Sequence, residues 1–317
     1  MPENTPIRIC ISSCLLGSEV RYDGGHKRDR FIADQLTPFF EWVHVCPEVE
    51  AGLGTPRPAM RLVDQDGERR LLEIKSRTDH TDALNSAAAD RVERLRSADL
   101  SGAILKKDSP SCGMTRVKLY RDSGMPIRDG AGLFAESLMQ AFPLLPVEEE
   151  GRLNDSTLRE NFIECVFAYR RLSDAFSGGW SLGEIVAFHT AHKLQLSAHS
   201  TVLYNELGRM VADIKKLPRD RFEQEYKEGF METVKIRSTR GKNANVLNHA
   251  AGHLKHLPGS SRQELAALTE DYRKGLVPLI VPVTLLRHHA RVGSVGYLNG
   301  QTYLEPHPKE LMLRNHV

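Results

Sequence analysis

No run of apolar residues in this sequence approaches the roughly 18–20 needed for a helix to cross a bilayer, so a membrane-spanning role is not expected. Cysteine is also sparse: five residues in 317, at positions 10, 14, 46, 112 and 165. Five scattered thiols make no disulfide framework, and no two stand in the CxxC spacing typical of a structural zinc pair. Internal repeats and low-complexity tracts are absent. The opening stretch MPENTPIRIC has neither the basic nor the apolar region of a signal peptide, so the expected setting is cytoplasmic and reducing, without a membrane partner. What is present is ordinary for a globular protein. Hydrophobic residues make up 40% and charged residues 26%, enough for a sizeable core, and the length predicts two domains.

The net charge of +2 conceals an asymmetry. Residues 1–150 hold 20 Lys and Arg against 24 Asp and Glu; residues 151–317 hold 23 against 17, with 10 of the 13 histidines. A basic, histidine-rich second half hints at a polyanionic partner.

The first half alternates short apolar runs with helical stretches. IRICIS, WVHVCP and SGAILKK read as strands, and SAAADRVERLRSAD has apolar residues at helical spacing. That alternation predicts an α/β N-terminal domain with a mainly parallel sheet, over residues 1–145. FPLLPVEEEGRLND combines prolines, an acidic run and a glycine, and predicts a linker over 146–155. Asn154 or Asp155 stands where a helix cap is wanted. From 156 to 317 the pattern is mostly α-helical, with VPLIVPV expected to start extended because Pro278 and Pro282 disfavour helix.

Cys14, Cys46 and Cys112 each fall at or just beyond the end of a predicted strand. In a parallel sheet those ends share one edge, which is where open α/β sheets bind ligands. By spacing alone three alternatives stand. The cysteines are buried structural residues; or they hold a four-iron cluster with one open, soft coordination site; or they hold zinc or supply a nucleophilic thiol. Glu48 and Ser109 lie close in sequence to two of them and would flank such a site as proton-handling groups. Otherwise Glu48 is a surface acid and Ser109 a turn or N-cap residue. Cys10, in mid-strand, and Cys165, in an aromatic-rich helix, read as core.

The blocks SSCLLGSEVRYDGG, CPEVEAGLGTPRPAMRL and AILKKDSPSCG closely resemble the TudS thiouracil desulfurase family, in the family's order. FHTAHKLQLSAHS, NVLNHAAGHL, YRKGLVPLIVPVTLLRHH and YLNGQTYLEPHPKELMLRN resemble the YbgA-like domain, and the pairing resembles the RudS group of tRNA 4-thiouridine desulfidases. The resemblance implies a [4Fe–4S] cluster on Cys14, Cys46 and Cys112, with Glu48 and Ser109 catalytic. It also implies a non-redox, hydrolytic replacement of C=S by C=O that releases hydrosulfide. Arg21, Tyr22, Asp23 and Lys106 are candidates for substrate contact or support, although Asp23 before two glycines also suits a turn. Alternatives are a desulfurase of free thiouracil or thionucleosides, and an RNA-binding protein with a structural zinc.

Free thiouracil would not need the second half of the chain; a tRNA partner would. Lys235, Arg237, Arg240 and Lys242 form a cluster suited to phosphate contacts. His189, His192 and Lys193 share one helical face and are expected to touch RNA or to be structural. No further ligand follows the two histidines at zinc-protease spacing.

Overall fold

A computed structural model of the chain describes residues 6–121, 125–255 and 257–316. In chain order its strands are β1 (Ile7–Ser12), β2 (Phe40–Val45), β3 (Met60–Gln65), β4 (Glu68–Glu73), β5 (Leu100–Leu105), β6 (Val117–Tyr120), β7 (Pro126–Gly130) and β8 (Val147–Glu149). They form two four-stranded sheets, ordered β2-β1-β5-β8 and β4-β3-β6-β7. The first sheet is parallel throughout. Its inner strand β5 is buried at every position and β1 over its last four, which is why both read as unbroken apolar runs rather than alternating ones. The second sheet mixes an antiparallel β3–β4 hairpin, a parallel β3–β6 pair and an antiparallel β6–β7 pair.

Among the described residues, this part of the chain has three α-helices: α1 (Pro47–Glu50), α2 (Thr81–Leu95) and α3 (Leu133–Ala141). Leu84 of α2 and Leu133 of α3 join Leu62, Leu71, Val117 and Leu119 in one apolar cluster, so the two longer helices cover the second sheet.

The chain divides into two compact units, Met1–Asn154 and Asp155–Val317. Residues 146–155, expected as a linker, instead supply β8, which pairs with β5 from Ala103 to Leu105. Glu148 and Glu149 are buried there. Glu149 and Glu150 find donors 34 to 44 residues away in sequence, which no local pattern of a linker records.

The second unit is helical: α4 (Ser156–Phe176), α5 (Leu182–His199), α6 (Thr201–Ala212), α7 (Arg219–Lys235), α8 (Arg240–Ala251), α9 (Gly259–Lys274), α10 (Ile280–Val292) and α11 (Gly296–Asn299). Asp155 caps α4, accepting from the N–H groups of Thr157 and Leu158, both at 2.9 Å. Ser181 and Glu184 form a capping box on α5. The expectation of extended chain around Pro282 is corrected. Pro282 lies in the first turn of α10, where a missing N–H forfeits no intrahelical bond. No described helix is long and apolar enough to cross a membrane.

Candidate active site

Strands β2, β1 and β5 lie side by side and run the same way, so the segments that follow them leave from one edge. The register pairs Ser12 with Val45 and Ile11 with Ile104. Cys14 follows β1 in a 3₁₀ turn (Ser13–Leu16), Cys46 directly follows β2, and Cys112 lies in the loop after β5. Two serines fasten these ends together. Ser13 Oγ donates to the carbonyl of Val45 at 3.0 Å, and Ser12 Oγ accepts the Lys106 N–H at 3.0 Å.

Each cysteine is then placed by its own local bonds. The Cys46 N–H donates to Glu50 Oε1 at 3.0 Å, and Glu50 is gripped by Arg91 at 2.7 and 2.8 Å. Pro47 starts α1, where its fixed φ suits a first helical residue. The Cys112 N–H donates to Ser109 Oγ at 3.1 Å, and the Gly113 N–H donates to the Ser109 carbonyl at 2.9 Å. A side chain at position 113 would bring its Cβ to 2.4 Å from Val117 and 2.8 Å from the Ser109 oxygen, so only glycine closes this loop. The start of α3 holds the loop from outside, through the N–H groups of Leu133 and Ala135 on the carbonyls of Pro110 and Ser111.

Cys14, Cys46, Cys112, Glu48, Ser109 and Ser111 all line one cavity of about 450 Å³. Among the described residues, no group of three or more His, Cys, Asp or Glu side chains is gathered closely enough to hold a single metal ion. The thiols face a shared space rather than a shared point, an arrangement suited to a group larger than one ion. Burial pushes the Cys14 thiol up to about 11, helped by the neighbouring Cys46, and raises Cys46 and Cys112 as well. Without a cation the three remain protonated; a bound metal centre would draw off their protons. The donor set is therefore soft and rich in sulfur, and it fits a thiolate-held cluster.

Glu48 is reached from two directions. Ser111 Oγ donates to its Oε1 at 2.7 Å, and Arg57, itself buried, pairs with its Oε2. Ser111 Oγ also lies 3.0 Å from Ser109 Oγ and 3.7 Å from Cys112 Sγ. Sequence reasoning picked Ser109 and passed over Ser111 and Arg57. In the structure Ser109 does the work of a cap, taking the N–H groups of Ser111 and Cys112, while Ser111 is the serine that touches the carboxylate. A half-buried glutamate requires a cation partner, and that requirement is the signal that could have led to Arg57 in GTPRPAMRL.

Of the supporting candidates, Arg21, Tyr22 and Lys106 also line this cavity and Asp23 does not, and most are engaged elsewhere. Arg21 pairs with Asp23, whose Oδ1 accepts the Gly25 N–H as a turn residue does, and Tyr22 is exposed beneath the Arg21 guanidinium. Lys106 pairs with Glu150.

In the second unit the RNA-contact alternative for His189 and His192 is corrected. His189 and His192 are each 2% exposed, which leaves RNA nothing to touch. His189 Nδ1 meets Tyr226 Oη at 3.0 Å, and His192 meets the Phe188 carbonyl at 2.7 Å and Arg171 at 3.2 Å. Their helical face is the inner one. Lys193 is half-buried, and Lys242 Nζ donates to the His199 carbonyl at 2.6 Å. Lys235, Arg237 and Arg240 are exposed.

Comparison with known proteins separates the same two halves. A family model described as 2-thiouracil desulfurase matches residues 9–150, and one described as protein of unknown function DUF1722 matches residues 193–308. The chain is 34% identical over 152 residues to YbbK of Bacillus subtilis (strain 168), covering 46% of this chain and 98% of that protein. It is 31% identical over 166 residues to YbgA of Escherichia coli (strain K12), covering 52% of this chain and 95% of that protein. A solved structure, the [4Fe-4S]-dependent thiouracil desulfidase TudS, is 31% identical over 47% of this chain and 94% of its own, with a TM-score of 0.39.

Proposed function

The chain belongs to the 2-thiouracil desulfurase family in its first half and to the DUF1722 family in its second, and from that premise we propose a [4Fe–4S]-dependent desulfidase that converts 4-thiouridine in tRNA to uridine. The observation that carries this reading is the meeting of Cys14, Cys46 and Cys112 with Glu48 around one cavity. Three thiols with no fourth suit a cluster that keeps one iron open. When bound, the cluster would supply a soft Lewis acid that polarises the C=S bond.

This chain's residues then manage water and protons. Arg57 pairs with Glu48 and fixes its direction. Glu48 takes a proton from the water that adds to C4, and the Ser111 hydroxyl, donating to its Oε1 at 2.7 Å, holds the carboxylate in place for that transfer. Atoms balance without an oxidant or reductant: water enters, C=S becomes C=O, and hydrosulfide and a proton leave. The basic balance of residues 151–317, 23 Lys and Arg against 17 Asp and Glu, supports a polyanionic substrate.

Anaerobic protein should contain iron and sulfide rather than zinc. It should also remove 4-thiouridine from tRNA faster than it consumes free 2-thiouracil. Equal or better activity on the free base would remove the tRNA assignment, and a zinc-loaded active protein would remove the cluster.

A further inference from the structure

A second cavity, of about 340 Å³, lies wholly within the helical unit. Four stretches far apart in sequence supply its polar walls: Glu160, Asn161 and Glu164 from α4; Arg237, Ser238, Arg240 and Asn243 around the start of α8; Tyr272 from α9; and His316. None of these has a part in desulfurisation.

The rim is cationic and unengaged. Arg237 and Arg240 are exposed, and among the described residues neither has a hydrogen-bond or ion-pair partner. Asp155, the acid that feels Arg237, is committed to capping α4. Arg240 lies over Gly275, where φ is +79° and a Cβ would fall 2.6 Å from its Nη1. Glycine there ends α9 and also leaves room for the guanidinium.

The floor is anionic and only partly satisfied. Glu164 is 4% exposed. Its Oε1 accepts from Gln195 at 2.7 Å and faces His199 at 3.4 Å, whereas the nearest cation to its Oε2 is Arg314 at 3.8 Å, beyond hydrogen-bond reach. Glu160 takes His316 at 2.7 Å and stands 3.4 Å from Arg314 Nε. Burial opposes the charge on Glu164, yet His199 and Arg314 outweigh it and hold the carboxyl well below the usual carboxylate range. A buried carboxylate with unfilled lone pairs, walling a polar cavity, calls for a ligand that brings N–H donors.

We propose that this cavity binds one nucleotide whose base carries an amino group, with its phosphate on Arg237 and Arg240 and its base edge toward Glu160 and Glu164. The volume lies within the ordinary range for small-ligand sites, roughly 300–1,000 Å³. Adenine, cytosine and guanine present amino donors to a carboxylate. Guanine offers two adjacent N–H groups, and uracil would turn carbonyl oxygens toward the acids. The inference rests on the tRNA reading only for the source of the nucleotide, which is either a residue of the RNA substrate or a free mononucleotide.

The test is calorimetry of the full chain with GMP, AMP, CMP and UMP. GMP should bind roughly tenfold or more tighter than UMP, and Arg240→Glu should weaken GMP by about tenfold or more. Glu160→Gln should narrow the gap between GMP and UMP; should that variant fail to fold, the wild-type selectivity and Arg240→Glu still decide. No saturable binding of any nucleotide, equal affinity for UMP, or an unchanged Kd in Arg240→Glu overturns the proposal. Steady-state kinetics then identify the source. An Arg240→Glu protein with a raised KM for thiolated tRNA and unaltered turnover of free 4-thiouridine points to an RNA residue, and an unchanged KM points to a free nucleotide. These binding readouts need no cluster. A wild-type protein that binds GMP but leaves tRNA untouched would therefore contradict the desulfidase reading and not this one.

Discussion

The cavity of the first unit and that of the second are alike in scale, about 450 and 340 Å³, but their charges are arranged in opposite ways. In the first, the arginines at the walls are already paired, Arg57 with Glu48 and Arg21 with Asp23, and so is Lys106, with Glu150. What sets that wall apart is its three thiols. In the second, the guanidinium groups of Arg237 and Arg240 have no partner among the described residues, and the carboxylates beneath them are only partly satisfied. The first site is built to receive a group that brings positive charge to thiols. The second is built for a ligand that brings negative charge to its rim and donors to its floor.

The largest effect should come from removing sulfur. Cys46→Ala should leave the protein without iron or sulfide and without turnover, read by metal analysis of anaerobic protein; a variant that keeps its iron would break the contrast. Next is the carboxylate beside the sulfurs. Glu48→Gln should keep the iron while turnover falls by roughly 10²–10⁴-fold, the range of a lost general base; near-normal rates would remove its catalytic role. The two serines should then separate. Ser111→Ala, which leaves Glu48 Oε1 without its donor, should slow turnover about tenfold or more at unchanged stability. Ser109→Ala should lower stability by about 1 kcal/mol, as losing a cap does, because two N–H groups lose their acceptor. The reverse pattern would restore Ser109 as the hydroxyl that works with Glu48.

The second unit should be distinctive in acid. Burial holds His189 down to about 4 and His192 down to about 3, against 6.5 for a free ring. Below 6.5 the unfolded chain takes protons that the folded chain refuses, so stability falls as pH drops from there toward about 4. Glu164, depressed in the folded state, contributes stability above the usual carboxylate range that is lost as pH falls lower still. A Trp42→Phe protein leaves Trp180, packed inside the second unit, as its fluorescent reporter. Urea midpoints should decline from pH 6.5 downward, and His189→Gln should flatten part of that decline.

The parallel core was legible because β1, β2 and β5 announce themselves as short apolar, β-branched runs, and a cysteine closes or follows each one. The second sheet was not read, although its hairpin carries an Asp-Gly turn at 66–67 between β3 and β4; charged residues on both strands blurred the alternation. Glu48 and the three cysteines were visible because their neighbours in sequence are also their neighbours in space. Ser12, Ser13, Arg57 and Ser111 matter through partners up to 94 residues away, which no local pattern records. His189 and His192 had the right spacing for a shared face, but periodicity does not say whether that face turns inward.

Two of three consecutive glutamates, Glu149 and Glu150, tie down the loop that follows β5. Glu149 accepts the Met114 N–H at 2.8 Å, Glu150 takes Lys106 and the Lys107 N–H at 2.7 Å, and Glu148 pairs with Arg152. Anyone separating the halves by truncation would naturally cut after Leu145, where the prolines suggest slack chain. Such a fragment would retain Cys14, Cys46, Cys112 and both serines of SPSCG, yet lose the clasp that keeps their loop shut. A fragment ending at Asn154 keeps it, so nine residues decide whether the first half can be handled alone.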